Sequence, residues 1–490
     1  VNRKNMRVMN FPLPHAPRRR AALGAACALT LTLTLTLAGC ANLQTAYTPP
    51  PLAVPADWSS QRAAAPADAV AEPAQAAQWW TALGDAQLNQ LIAQALQHSP
   101  DMALAAWNIR QAQLALGLAQ DKARPGLGAS ASLGASRDFD AARSGQSHSL
   151  GLNLSYELDW WGKLASQRDA AQWRHSATQQ DRRSTALVLV ASVATLYWQL
   201  AHQNEQIASG ARSLEHARRT QALVQAQYEA GGVSGLERQQ AARSVAAQQA
   251  ALAALQQARA STRHALAVLL GQPPTGDALV ALLPDGEPQA LPAGELPELP
   301  LQLPAQVLAR RPDVQAAEAR LRATLADGDA LRASYYPSVS LTAGLGSSAQ
   351  SLGQWLSSPV GTLGASLALP FLRQREMRLN SEVSRANYEA AAVGFQKTLL
   401  QALQEVEDAL AARQQLQQQR HWLQQQRDAA LQVESLSEVR YRNGAVALQA
   451  WLDAQEARRS AELALSANRQ AQLNNLLTLY KALGGAPHEP

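Results

Sequence analysis

The sequence predicts a mainly α-helical chain with a small membrane β portion, built as two tandem repeats, each a helix, two strands and a long helical hairpin. Three observations carry this fold class. Short motifs recur at a near-constant offset along the 490 residues. Two long stretches, Gly126 to Gln272 and Phe371 to Ala486, contain no proline. Within each copy, short segments alternate strictly between apolar and small polar residues. Composition agrees: 47% of residues are hydrophobic but only 5% aromatic. The 17% that are charged fall below the roughly one quarter usual for soluble domains, so Gln, Ser, Asn and Thr must supply much of the polar surface. Two cysteines exclude a disulfide scaffold.

Residues 1–40 hold six basic residues (Arg3, Lys4, Arg7, Arg18, Arg19 and Arg20) and no acidic one, with an apolar run from Ala21 to Ala38. A basic cluster ahead of an apolar segment is the pattern of a secretory signal. The run ends in Leu37-Ala38-Gly39-Cys40, which resembles the bacterial lipoprotein signal, where small residues precede a cysteine that is lipidated and becomes N-terminal. That resemblance implies a signal peptide over 1–39, and S-diacylglycerol plus an N-acyl chain on Cys40. Ala21 to Ala38 is also near the ~18-residue lower limit for a membrane span, but the small residues before Cys40 favour cleavage. Ala41, where an aspartate would retain a lipoprotein at the inner membrane, points to the outer membrane. Removing six of the 43 basic residues leaves 37 against 38 acidic ones. The +5 net charge therefore belongs to the leader, and nucleic-acid binding loses its support.

Residues 40–78 are rich in Pro and Ala and read as an extended, lipid-anchored segment. The first repeat is assigned to 79–272, a Pro-rich crossover to 273–303, the second repeat to 304–486 and a short tail to 487–490. The duplication rests on matched positions. Pro100-Asp101 recurs as Pro312-Asp313 and Pro125 as Pro337, both shifted by 212. Asp159-Trp160 matches Pro370-Phe371 at 211, while Tyr228 and Gly231 match Tyr441 and Gly444 at 213, as Leu270-Gly271 matches Leu483-Gly484.

Leu150, Leu152, Leu154, Tyr156 and Leu158 alternate with small polar residues, as do Val339 to Leu345 and Leu363 to Leu369, with a weaker version over Gly128 to Ser136. These are β-strands with one apolar face, each close to the ~9–11 residues that a tilted strand needs to cross a bilayer. Trp160, Trp161, Tyr335, Tyr336 and Phe371 at the strand ends suit a membrane interface. Four strands cannot close a barrel, and an open edge cannot sit in hydrocarbon. Several copies must therefore pool their strands; two, three or four copies would give 8, 12 or 16, and the strands alone do not choose.

A long helix follows each strand pair, Lys163 to Glu229 and Arg373 to Arg442. On the first, one heptad seam runs Leu189, Val193, Leu196, Leu200, Gln203, Ile207, Gly210, Leu214. A second runs Leu187, Val190, Ala194, Tyr197, Ala201, Asn204, Ala208, Ala211. Two seams imply helical neighbours on two sides. The helices end at the glycine turns Gly231-Gly232 and Asn443-Gly444, and antiparallel partners follow over Leu236 to Leu270 and Ala447 to Leu483.

Five motifs resemble the TolC-like outer membrane factor family, in its lipoprotein branch serving tripartite RND-type efflux pumps. They are Tyr156-Glu-Leu-Asp-Trp-Trp-Gly-Lys163, Leu303-Pro-Ala-Gln-Val-Leu-Ala-Arg-Arg-Pro-Asp-Val314, Ser334-Tyr-Tyr-Pro-Ser-Val-Ser-Leu341, Arg440-Tyr-Arg-Asn-Gly444 with Leu452-Asp-Ala-Gln455, and Leu479-Tyr-Lys-Ala-Leu-Gly-Gly485. The resemblance implies a homotrimer with a 12-stranded outer-membrane barrel and a helical tunnel through the periplasm. It also implies an inner gate that opens when a periplasmic adaptor and an inner-membrane transporter dock. The docking tips fall on Gly231, Gly232, Asn443 and Gly444. The family's gate carboxylate falls on Asp453, with Gln449 and Glu456 where close relatives have an apolar residue and an arginine. Arg243 is the first-repeat equivalent of Glu456 and a candidate cross-helix partner for the acidic residues. Glu456 faces either the constriction or the outer solvent. A further departure is Pro370-Phe371-Leu-Arg-Gln-Arg375, which lacks the usual glycine pair and is more basic.

No enzyme chemistry is expected. The nine histidines show no metal-ligand spacing, no nucleophile elbow is present, and Asp313 after Pro312 reads as a helix-start residue. No cofactor or metal is expected. The function implied is a passive efflux exit duct. The alternatives are the outer component of a type I protein secretion system, against which the Cys40 signal and the Arg-Arg-Pro-Asp motif weigh, and a periplasmic structural coiled-coil lipoprotein or adaptor, which would lack membrane-length strands.

Overall fold

The computed structural model describes residues 43–51, 54–59, 73–139, 143–275, 282–283, 286–297, 304–349 and 359–485. Cys40, the leader and the 487–490 tail lie outside the described residues. A 3-10 stretch, Pro73–Leu83, leads into α1 (Ala86–His98) and α2 (Pro100–Asp121). Strands β1 (Gly126–Asp138) and β2 (Arg143–Leu158) precede α3 (Lys163–Glu229) and α4 (Gly235–Leu269). The second repeat follows the same order: α5 (Pro304–Arg310), α6 (Pro312–Ser334), β3 (Ser338–Ala349), β4 (Pro359–Ala368), α7 (Gln374–Arg442) and α8 (Leu448–Ala482). The chain divides into two compact units. One holds 1–46, 121–167 and 326–382; the other holds 47–120, 168–325 and 383–490.

The first unit contains one antiparallel sheet in chain order, β1-β2-β3-β4, so that among the described residues β1 and β4 each keep an unpaired edge. Register sorts the residues by face. Leu127, Leu154, Ala343 and Leu363 form one cross-strand row, and Gly128, Asn153, Gly344 and Thr362 form the next, on the opposite side. The apolar face is exposed in the single chain, as at Leu127, Leu152, Leu345 and Leu363. On the other face, glycines sit opposite bulkier polar partners. A Cβ at Gly128 would meet Asn153 Oδ1 at 2.5 Å, and one at Gly344 would meet Thr362 Oγ1 at 2.7 Å. Strand β2 begins at Arg143, well before the alternation becomes visible at Leu150, because its first half is Gly, Ser and Gln and carries no hydrophobic signal.

The aromatics at the helix-side rim of the sheet divide into two groups. Trp161 donates its indole N–H to the Pro337 carbonyl at 2.8 Å and packs on Tyr336, centroids 4.8 Å apart. Tyr335 is buried and accepts from Asn380 at 2.7 Å. These three tie the turn after β2 to the segment that leads into β3 and to the first turns of α7. Trp160 and Phe371 remain exposed, the disposition of an interfacial aromatic. Tyr336 keeps 37% exposure while it packs on Trp161, so of the five strand-end aromatics only Tyr335 is buried.

The core of the second unit surrounds α3 between Leu189 and Asn204, where Leu189, Val190, Val193, Ala194, Tyr197, Trp198, Leu200 and Ala201 are all buried. Leu88, Leu91, Ile92, Leu266, Leu270, Leu473 and Leu477 pack around them. This accounts for an apolar window in α3 that passes a length-and-hydropathy test for a membrane span: nearly half of it is buried inside the protein. The first heptad seam continues toward Leu214, with Gly210 letting Leu252 and Leu255 of α4 approach. The second seam does not continue in the chain. Ala208 and Ala211 are exposed.

Among the described residues of the Pro-rich crossover no strand ladder forms, and side chains from the helices satisfy several of its carbonyls. Asn204 donates to Pro288 O at 3.0 Å and to Glu287 at 3.1 Å, Arg469 to Pro292 O at 2.9 Å, and Gln87 to Gly286 O at 2.9 Å. The N-terminal segment is held in a similar way. In the first unit the buried Asp329 carboxylate accepts from Thr45 N and Oγ1 at 2.8 and 2.7 Å. In the second, Trp58 is buried among Val307, Val406, Leu410 and Leu479, and Glu407 accepts from Ser59 N and Oγ at 2.7 and 2.9 Å.

Candidate functional site

Helices α3 and α7 both end in left-handed glycines. Gly231 has φ +75° and Gly444 φ +71°. The amide of Gly232 reaches back to Gln227 O (2.8 Å) and that of Gly231 to Tyr228 O (3.0 Å); Ala445 reaches Arg440 O (2.8 Å) and Gly444 reaches Tyr441 O (2.9 Å). This paired pattern is the Schellman motif, which needs a residue free to adopt positive φ at the second-last position. Gly231, Gly232, Asn443 and Gly444 are all exposed. A polar, backbone-rich turn at the end of each hairpin is thus presented to solvent.

Behind each turn a planar side-chain group covers the tip tyrosine. Arg238 lies 4.6 Å above Tyr228, and Trp451, its equivalent 213 positions on, stacks on Tyr441 at 5.3 Å. The substitution of Trp for Arg changes what the second tip does. Trp451 and Leu448 are buried against Val224 and Ala241 of the other hairpin, and Tyr441 donates to Gln227 Oε1 at 3.0 Å. Burial, then the charge of Glu237, raises the Tyr441 phenol above its ordinary value, so it remains a donor. The two helical hairpins are therefore latched to one another just beside Asp453.

The helix starts differ as well. Ser234 caps α4 in a reciprocal capping box with Glu237, whose carboxyl is held below its usual range by the Ser234 hydrogen bonds. The equivalent Ala447 offers α8 no side-chain cap. The second tip is thus the less secured of the two at its helix start.

Of the predicted gate residues, Gln449 donates to Asp453 Oδ1 at 2.6 Å, and both lie on α8 one turn apart. Glu456 pairs with Arg459 on the same helix. Arg243 is exposed, and among the described residues no hydrogen bond or ion pair joins it to Asp453 or Glu456. Within one chain the acidic residues are occupied by neighbours on their own helix. A further link between hairpin helices is the ion pair of Arg458 (α8) with Glu434 (α7), supported by Glu462 at 2.9 Å. Sequence reading missed Trp451, Gln227 and the Arg458 links. Trp451 was the available signal, the single tryptophan of an Ala- and Gln-rich helix, two residues before Asp453.

The Arg-Arg-Pro-Asp motif forms a knot around the buried Arg311 side chain. Arg311 donates bidentately to Asp313 at 3.0 and 2.7 Å, to Glu405 at 2.7 Å and to Ala482 O at 3.0 Å. Asp313 is in the first turn of α6, as expected, but its main partner is this guanidinium. Burial alone would raise the Asp313 carboxyl; the hydrogen bonds and charge of Arg311 outweigh it and hold it below its ordinary value. The knot ties the start of the second repeat to its last helix. Among the described residues no cluster of His, Cys, Asp and Glu with metal-binding geometry occurs.

A family model described as "Outer membrane efflux protein" matches residues 91–272 and 303–485, once in each repeat. The chain is 35% identical over 455 residues to the pyoverdine export outer membrane protein OpmQ of Pseudomonas putida, covering 89% of this chain and 93% of that protein. It is 32% identical over 465 residues to the probable efflux pump outer membrane protein TtgC of the same species, covering 92% and 94%. Among solved structures, the outer-membrane channel OprN superposes with a TM-score of 0.79 at 26% identity, covering 90% of this chain and 99% of that one. Two repeats that each match the family model, strands with a continuous apolar face and end-to-end relatives together place the chain in the outer membrane efflux protein family, whose members are channels of the outer membrane and not enzymes.

Proposed function

We propose that three copies of this chain form the exit duct of a tripartite efflux pump, carrying drugs and other small toxic compounds outward. A periplasmic adaptor and an inner-membrane RND-type transporter would complete the pump. The observation that carries the reading is the four-stranded sheet with both edges unpaired and one full apolar face. An even number of strands lets β4 of one copy pair antiparallel with β1 of the next, so that identical chains close a barrel and leave no edge in lipid. The likeness to a protein named for an efflux pump supports the pump assignment. Transport is passive at this component, with energy supplied by the transporter. Lipidation at Cys40 anchors the same unit, since Thr45, five residues on, is bound to Asp329. Outer-membrane fractions should show a heat-modifiable trimer on gels and channel conductance after reconstitution; a monomer, or an inner-membrane location, overturns the reading.

The gate lies at Asp453, Gln449 and Glu456, with Arg243 opposing them across copies, and the tips at Gly231, Gly232, Asn443 and Gly444 receive the adaptor. Docking relaxes the latch made by Tyr441 and Trp451. With an acidic residue at 456 where an arginine is usual, the closed constriction attracts cations. Glu456→Gln should therefore lower the cation-over-anion permeability ratio of the reconstituted channel. An unchanged ratio would place Glu456 on the outer face.

A further inference from the structure

The two strand-to-helix junctions occupy equivalent places in the repeats yet spend their charges differently. At the first, Asp159 accepts from the amides of Leu164 and Ala165 at 3.0 and 2.8 Å, and Lys163 is paired with Glu157. Every charge there is matched by the protein. At the second, offset by 211, Asp159 is replaced by Pro370, Gly162 by Arg373 and Lys163 by Gln374. Arg373 has only a loose contact with Glu376 at 3.6 Å, and Arg375 is exposed with no ion pair among the described residues. Between β4 and these arginines stand Leu369, Phe371 and Leu372, exposed by 42%, 42% and 72%. They continue the exposed apolar row of Leu363 and Leu367 directly into a basic turn.

We propose that this junction is a binding site for anionic phospholipid headgroups in the leaflet that meets the helix-side rim of the sheet. The inference rests on the reading of the strands as membrane-spanning. An apolar side chain as exposed as Leu372 is stable in the acyl region of a bilayer. The residue next to it then lies at the depth of the phosphates, and that residue is Arg373. Guanidinium groups match phosphate oxygens in geometry as well as charge. Continuity with the lipid-facing strand residues and the uncompensated positive charge both select a lipid phosphate as the occupant. The N-terminal segment gives independent support. Thr45 is fastened to Asp329 of α6, the helix that leads into β3 at this same rim, and Arg332 on α6 donates to Leu43 O and Thr45 Oγ1 at 3.5 and 3.3 Å. The segment that follows Cys40 is therefore held beside the same edge of the sheet, in the same compact unit.

The test is native mass spectrometry of the full-length detergent-purified protein titrated with phosphatidylglycerol or phosphatidylcholine. Wild type should retain phosphatidylglycerol preferentially. Arg373→Gln with Arg375→Gln should weaken that retention by about twenty-five-fold, taking roughly five-fold per arginine near an anionic surface, and leave phosphatidylcholine unaffected. Arg373→Lys with Arg375→Lys should restore most of the preference, and Arg385→Gln, farther along α7, should change nothing. Equal retention of the two lipids by wild type, or an unchanged preference in the double glutamine variant, overturns the proposal. Conductance of the same preparations separates the two ideas. Variants that form channels but keep the lipid preference sink only the headgroup site, whereas a wild-type protein that forms no channel sinks the membrane-spanning reading beneath it.

Discussion

Replacing Arg311 by methionine should lower the stability of the second repeat by about 2–3 kcal/mol, read as an earlier thermal dissociation of the unheated trimer. The guanidinium is only 5% exposed and makes four hydrogen bonds to three different elements. Without it the Ala482 carbonyl loses its partner, and the carboxylates of Asp313 and Glu405 face one another. Because both carboxylates are more than one third exposed, water relieves part of that repulsion, which keeps the loss below the full cost of breaking a buried pair. Arg311→Lys should fall between, since a single ammonium cannot span two carboxylates and a carbonyl. The pH dependence supplies a signature. Asp313 has a folded-state pKa depressed below 3.8, so its contribution is fully present above that unfolded value and is lost as pH falls through the lower folded value. The gap between wild type and Arg311→Met should therefore narrow below about pH 4. A gap that is constant with pH would mean that Arg311 acts by packing alone.

Gly271→Ala and Gly484→Ala should separate sharply although the two glycines are repeat equivalents. Both close Schellman motifs at left-handed φ, +71° and +79°. Both pack on equivalent backbone, His98 in the first repeat and Arg310 in the second. A Cβ at Gly271 would lie 2.3 Å from the His98 carbonyl oxygen, a backbone atom that cannot rotate away; at Gly484 the nearest atoms are at 3.4 Å or more. Gly484→Ala should cost about 1–2 kcal/mol, the ordinary left-handed penalty. Gly271→Ala should cost about 3 kcal/mol or more, because the end of α1 must move as well. Asparagine tolerates the left-handed region, so Gly484→Asn should recover most of the loss while Gly271→Asn should not. Equal losses at the two sites, measured by trimer melting, would refute the close approach.

The residues next to His98 and Arg310 show how far duplication reaches. Ser99 and Arg311 are equivalents, each just before a Pro-Asp helix start and each buried. The repeat offset predicts that they share a backbone setting, and they do. It does not predict that Arg311 gathers Asp313, Glu405 and the Ala482 carbonyl, because Glu405 lies 94 residues away along the chain. The tips behave alike. Arg238 and Trp451 cover equivalent tyrosines, but only Trp451 is apolar enough to bury against the other hairpin.

By itself the sequence determined the elements and their faces: two repeats, four alternating strands, two very long helices and the glycine turns that end them. Each of these depends on local periodicity and on backbone freedom, which neighbouring residues encode. Tertiary structure decided how side chains far apart in the chain are used. It buried Tyr335 among the strand-end aromatics and left Trp160, Tyr336 and Phe371 at the surface. It left the second seam of α3 exposed at Ala208 and Ala211, and within one chain it paired Glu456 with Arg459. Heptad spacing says which residues share a stripe, but burial depends on what lies opposite, and a partner from a distant segment leaves no periodic trace in the chain.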